Sequence, residues 1–284
     1  MAAGITGFFR PNPLAFLGWQ VPLAADAAGY YSTAPLQETL SELVDFSRIS
    51  ECTPRLTIGA AKVRTSEMRY FDSRDMPLTA RHVMASGALP PAFPAIRIDD
   101  DLYWGGGSPS NTPVDAIFDD NPRRNSLVFA VHIWNSDGPE LESIWQVMHR
   151  QKEIQYSSRA ITHITRQKQV HRLRHIIAEL AKRISEPERQ SIVVREMAAY
   201  GCLTRMHVVR LLAPRVDGED HTKDIDFSHV GIRKRWDAGL TDARAALSAA
   251  PWEVEVDPIE GFYLHELMRG VMAETKKPAR PCHR

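Results

Sequence analysis

Between residues 35 and 46, Leu36, Leu40, Leu43 and Val44 fall on one helical face, with Thr33 before them as a cap, so the spacing predicts a helix whose apolar stripe needs a sheet to cover it. Strands are predicted over 55–63 and 68–71, joined by a turn at Thr65, Ser66 and Glu67. A short helix over 79–86 follows, then a hairpin of 95–98 and 102–104 across Asp99, Asp100 and Asp101, whose three carboxylates read as a solvated turn. Residues 127–134 read LVFAVHIW, a near-continuous apolar run that implies a strand in the middle of a sheet, covered on both faces.

Beyond Pro139 the pattern lengthens to helical period. Ile144, Val147, Met148, Ile154, Ile161, Ile164, Val170, Leu173, Ile176, Ile177 and Leu180 predict helix over 140–184, with a break expected near 156–158. One further strand is predicted over 206–212, and a last helix over 228–249 that buries Ile232, Trp236, Leu240 and Leu247. Residues 1–33 read as irregular surface and 251–284 as a marginal tail, disordered from 276. The expected class is therefore α/β: a sheet portion over 1–139, a helical extension with one added strand over 140–250, and the tail.

Composition narrows this picture only a little. With 284 residues and 43% hydrophobic content the chain can bury a full core and fits one large domain or one and a half. Lys plus Arg and Asp plus Glu are both 35, so net charge gives no reason to expect nucleic acid as a partner. Cys52, Cys202 and Cys282 are odd in number and far apart, which suits a reducing, cytoplasmic setting. Pro11, Pro13, Gln20 and Pro22 interrupt any signal-peptide core, and no apolar run reaches the ~18 residues of a membrane span.

Charge distribution changes the picture more. Between 149 and 183 the bases Arg150, Lys152, Arg159, Arg166, Lys168, Arg172, Arg174, Lys182 and Arg183 face only Glu153 and Glu179. Such a basic helix suits either an anionic lipid surface, which would place the protein at the membrane periphery, or ion pairing with acids elsewhere in a neutral chain. His171 and His175 stand four apart, but with no third ligand at helical spacing they read as part of that exposed basic face rather than as a metal site.

The densest signal is the stretch YWGGGSPSNTP over 103–113. Gly105, Gly106 and Gly107 follow the aromatic pair Tyr103 and Trp104, and Asn111 or Thr112 caps a helix that opens at Pro113, which gives strand, glycine turn, helix. A phosphate loop would need a lysine or a helix start directly after the glycines, and neither is there.

This stretch resembles the Asp-Gly-Gly and Asn-x-Pro motif of patatin-like phospholipases. The match is carried by Trp104, Gly106, Gly107, Asn111 and Pro113, with Gly105 standing at the position of the aspartate. ASGALPPAFP over 85–94 resembles the segment that precedes that strand. RQKEIQYSSR over 150–159 and KDIDFS over 223–228 resemble a bacterial subgroup with a helical C-terminal region, and the likeness spans about 7–248 in order. The resemblance implies the C-terminal half of a three-layer patatin-like sheet with a helical extension, and a parent activity of phospholipase A or lysophospholipase type that needs no metal or organic cofactor.

The family's chemistry is acyl transfer by a Ser-Asp dyad, with the serine on a G-x-S-x-G elbow and oxyanion N–H donors upstream. No G-x-S-x-G occurs in these 284 residues, and neither Ser86 nor Ser108 sits in such an elbow. The acids at 99–101 are at least four residues from Gly105, roughly 13 Å along a strand, too far to replace the base. The expectation is a chain that lacks the nucleophile half and is inactive alone. The alternatives are a lipid-binding or protein-interaction remnant, or half of a split enzyme, and an exposed sheet edge favours a homo-oligomer or a complementing chain.

Overall fold

The structure is a computed structural model that describes residues 4–18, 20–51, 54–105, 115–138, 140–213, 226–257 and 259–266. It divides into two compact units, Met1–Ala116 and Ile117–Arg284. The first contains β1 (Arg10–Pro11), a 3-10 turn at Pro13–Phe16, β2 (Tyr31–Ser32), α1 (Ala34–Leu43), α2 (Phe46–Glu51), β3 (Thr57–Lys62), β4 (Met68–Asp72), α3 (Ala80–Gly87), β5 (Ile96–Ile98) and β6 (Asp101–Gly105). A short helix, α4 (Asp115–Phe118), spans the division. The second unit contains β7 (Ser126–His132), α5 (Ile144–Arg183), α6 (Glu186–Arg189), α7 (Ile192–Ala199), β8 (Met206–Leu212), α8 (His229–Ala249), a 3-10 turn at Pro251–Glu253 and β9 (Phe262–Glu266).

In the first unit four antiparallel strands run in the order β4-β3-β6-β5. Alternation places Ile58 and Ala60 of β3 on one face with Phe71, Tyr103 and Ile98, and α3 closes that face with Ala85, giving one apolar cluster that also takes in Leu78. The open end of the β3–β4 pair is pinned by Asp72, which accepts hydrogen bonds from Arg55 Nε at 2.5 Å, Thr57 Oγ1 at 2.7 Å and the Arg74 amide at 2.9 Å. Burial raises the affinity of this carboxyl for a proton, but the bonds from Arg55, Thr57 and Arg74 together outweigh it and hold the group well below the usual carboxylate range. The N-terminal stretch that reads as irregular is ordered by rings: Phe9 meets Tyr31 at 4.9 Å and Phe93 at 5.3 Å between centroids.

The second unit holds a parallel sheet, β7-β8-β9. Here several expectations are corrected. The run over 127–134 is not a central strand: β8 is central and β7 lies at the edge, with Val128, Ala130 and His132 buried but Leu127, Phe129 and Val131 exposed. Periodicity of two survives inside an apolar run, so the run alone does not reveal one-sided burial. The expected marginal tail contains β9, whose Phe262 is buried against Phe118 and His171.

The predicted break at 156–158 is absent. α5 is continuous, opened by Ser143 in a reciprocal cap with Gln146, and it carries Ser157 buried and Tyr156 stacked on Trp134 at 5.2 Å. On α8 the expected buried side is exposed at Ile232, Trp236, Leu240 and Leu247, and Ala246 is the buried residue instead. On the sheet face that carries Phe129 and Trp252, His207 Nδ1 and His265 Nε2 are 3.0 Å apart, so one imidazole donates and the other accepts. No described helix is long and apolar enough to cross a membrane.

Candidate functional site

The glycine triplet begins with Gly105 at the end of β6. Gly105 pairs across the sheet with Ala60, and its N–H donates to Ala88 O at 2.8 Å, which fixes the end of β6 against the backbone that leaves α3. A Cβ placed on residue 105 would lie 2.8 Å from Ser86 O and 3.3 Å from Ala88 O. Small neighbours make this close approach possible, since Ala60, Ala85 and Ala88 are all buried there. Two carbonyl oxygens therefore face the position that the resemblance gives to the base. Neither carbonyl can take up a proton, and both would repel a carboxylate.

Trp104, paired with Ala61, points to the opposite face of β6, and its indole N–H is enclosed without an acceptor among the described residues. Gly106, Gly107, Asn111 and Pro113 lie outside the described residues. The Ser86 side chain is exposed and has no hydrogen-bonded His, Asp or Glu among them. Of the three acids at the β5–β6 turn, Asp101 pairs with Lys62 at 2.6 Å, while Asp99 and Asp100 are exposed. That pair lines a cleft of about 660 Å³ with Arg69, Phe71, Ile98 and Tyr103, at the end of the strand away from Gly105.

The basic helix is largely engaged within its own unit. Arg150 donates to Asn135 O and Ser136 O and pairs with the buried Glu153 at 3.2 Å; Lys152 lies over the Trp134 ring at 5.3 Å. Lys168 and Arg172 reach Glu260 at 3.9 and 3.3 Å, and Arg174 reaches Phe118 O and Asp119. Arg166 is exposed, and the Arg159 side chain is outside the described set.

His171 and His175 are not on an exposed face: both are buried, and their Nε2 atoms lie 2.7 and 2.8 Å from the same acceptor, Thr204 O. A carbonyl only accepts, so both rings carry their proton on Nε2, and burial lowers the basicity of His171. No group of three or more potential metal ligands occurs among the described residues.

Sequence reasoning missed the buried polar groups of the second unit, His132, Glu153 and Arg210. One signal was available, an arginine in the apolar run VVRLL of the strand MHVVRLL.

A family model described as Patatin-like phospholipase matches residues 8–118, and a second, described as Patatin phospholipase, matches 154–259. No curated protein matches the chain. The first match takes in α3, β6 and the glycine triplet, the second takes in most of α5 together with β8 and α8, and the mixed α/β architecture agrees with both. The chain belongs to the patatin-like phospholipase family, whose activity at the family level is lipid acyl hydrolysis.

Proposed function

We propose that these 284 residues present the scaffold of a lipid acyl hydrolase without a working Ser-Asp dyad, and that by themselves they do not hydrolyse acyl esters. The observation that carries this reading is Gly105: where the family motif has its base, the Cα faces the Ser86 and Ala88 carbonyls. In serine hydrolases, loss of a member of the nucleophile-base unit costs about four orders of magnitude in rate or more. The test is hydrolysis of a p-nitrophenyl ester by the purified chain beside a Gly105→Trp control. Equal, background rates are expected; turnover well above the control would overturn the proposal.

A second reading, a non-catalytic module at an anionic lipid surface, is favoured by one feature of α5. Its first turns expose Ile144, Trp145, Val147 and Met148 together, an apolar crest suited to an interface. The bases supply less of the attraction than their number suggests, because most already have partners. Co-sedimentation with vesicles decides it: binding should be stronger with anionic lipid, and equal binding to zwitterionic vesicles removes the idea. Association with a second copy or a complementing chain is the corresponding reading of the exposed row on β7, and a stable monomer on size exclusion would argue against it.

A further inference from the structure

Arg210 sits on β8, the central strand of the second sheet, in register with Ala130 on one side and Glu266 on the other. Its side chain is 9% exposed. Nη1 donates to Glu266 Oε1 at 2.5 Å, while Nε and Nη2 are enclosed and have no acceptor among the described residues. Those two nitrogens form one edge of the guanidinium, with their N–H bonds parallel, and this is the fork that takes a carboxylate or phosphate side-on. Glu266 thus holds the far corner and leaves the bidentate edge unanswered.

Leaving buried N–H groups of a charged side chain without acceptors costs about 1–3 kcal/mol or more, so an empty fork is an unfavourable resting state. The acids near it among the described residues do not fill it. Glu153, buried on α5, is bound to Arg150 and to His149 at 3.4 Å, and Glu266 is already spent on Nη1. The methyl group of Ala130, beside the fork on β7, is too small to cover it. His132, diagonal to Arg210 on the same buried row of β7, is a second polar side chain turned to this face. The position also has the right address, near the carboxyl ends of parallel strands, outside which ligands of open α/β sheets are bound.

We propose that the Nε/Nη2 edge of Arg210 is a receptor for a small oxyanion, either a carboxylate or a phosphate group, at the carboxyl end of the second sheet. The proposal is independent of Gly105 and of ester hydrolysis. It has a built-in reporter in His132, which burial and the neighbouring Arg210 charge hold down to about 4. An anion on Arg210 offsets that charge and returns the imidazole toward its ordinary value.

The test uses the full chain, isotopically labelled, with the Arg210 Nε–H and His132 ring resonances followed by NMR. Inorganic phosphate and butyrate are titrated separately at constant ionic strength. Saturable shifts of Arg210 Nε–H with a rise in the His132 titration point are expected with at least one probe. Phosphate alone identifies a phosphoryl ligand, butyrate alone a carboxylate, and both a general oxyanion receptor. Arg210→Lys keeps the charge and the Glu266 pair but has no fork, and should weaken binding by about tenfold or more. Absence of saturation with both probes up to tens of millimolar would mean that the fork holds only water, and the proposal falls. It falls equally if the shifts saturate at other residues and not at Arg210, a result read from the unsubstituted chain should the variant not fold, or if Arg210→Lys binds as well as the parent.

Discussion

The two sheets bury different things. Beneath the antiparallel β4-β3-β6-β5 sheet the interior is mainly Ile58, Ala60, Phe71, Leu78, Ala85, Ile98 and Tyr103, with His82 against Phe71 at 4.7 Å, and its buried carboxylate, Asp72, has three donors. Within the unit of the parallel β7-β8-β9 sheet the buried set includes His132, Glu153, Ser157, His171, His175 and Arg210. Meanwhile large apolar groups such as Val131, Trp145 and Trp236 face outward, Val131 at 66% exposure. At Gly105 the Ser86 and Ala88 carbonyls leave no room for a side chain, whereas enclosed ionisable groups are costly unless something answers them. The motif that names the family and the polar groups suited to binding therefore lie in different units.

This contrast can be broken most directly at Phe262, buried between Phe118 and His171. Phe262→Ala should cost about 3–5 kcal/mol in chemical denaturation. A loss below about 1 kcal/mol would mean that β9 is not a packing centre.

Acid comes next. His132 is neutral in the fold, with its value lowered to about 4, first by burial and then by Arg210. The unfolded imidazole takes its proton near 6.5. Its stabilising contribution is thus complete above about 6.5 and is lost as the pH falls from there to about 4, at about 1.4 kcal/mol per unit, or about 3 kcal/mol in all. Denaturation midpoints between pH 7 and 4 should fall accordingly, and His132→Gln should flatten the slope. An unchanged slope would place the titrating groups elsewhere.

Gly105→Asp tests the first unit. The new side chain meets Ser86 O, so a cost of about 1–3 kcal/mol is expected in thermal or chemical melts, with no gain in ester hydrolysis. A stabilised variant would show that position 105 has room for a carboxylate. The smallest effect belongs to the outer face of α8: Trp236→Gln should change stability by no more than about 0.5 kcal/mol, and a larger loss would show that this face is covered.

Much of this was legible in the sequence where local pattern and local burial coincide. β8 occupies the predicted 206–212, and the β3–β4 and β5–β6 hairpins stand where alternation and turn residues place them. The family was legible through Trp104, the glycines and Asn111, which need no tertiary context to be recognised. What was hidden depends on distant partners. Phe262–Glu266 reads FYLHE, short and polar at its end, and it becomes a strand only through pairing with Met206–Arg210. His171 and His175 sit among bases, and nothing nearby announces an acceptor at Thr204, 33 and 29 residues on. The fork of Arg210 is a fact about which corner Glu266 occupies, and that fact lies 56 residues away.

The register of β9 has one more consequence, for the order of assembly. Met206 pairs with Phe262, and Gly261, at φ +63, passes beneath the His175 ring so closely that any side chain there would collide with it. During synthesis β7, α5 and β8 all leave the ribosome before residue 262 exists, and until then the outer edge of β8 has no neighbour. The nascent second unit must therefore wait, with a hydrophobic central strand half unpaired, for a five-residue segment to slide under a helix already made. This is the interval in which a chaperone, or a second nascent chain, would find it.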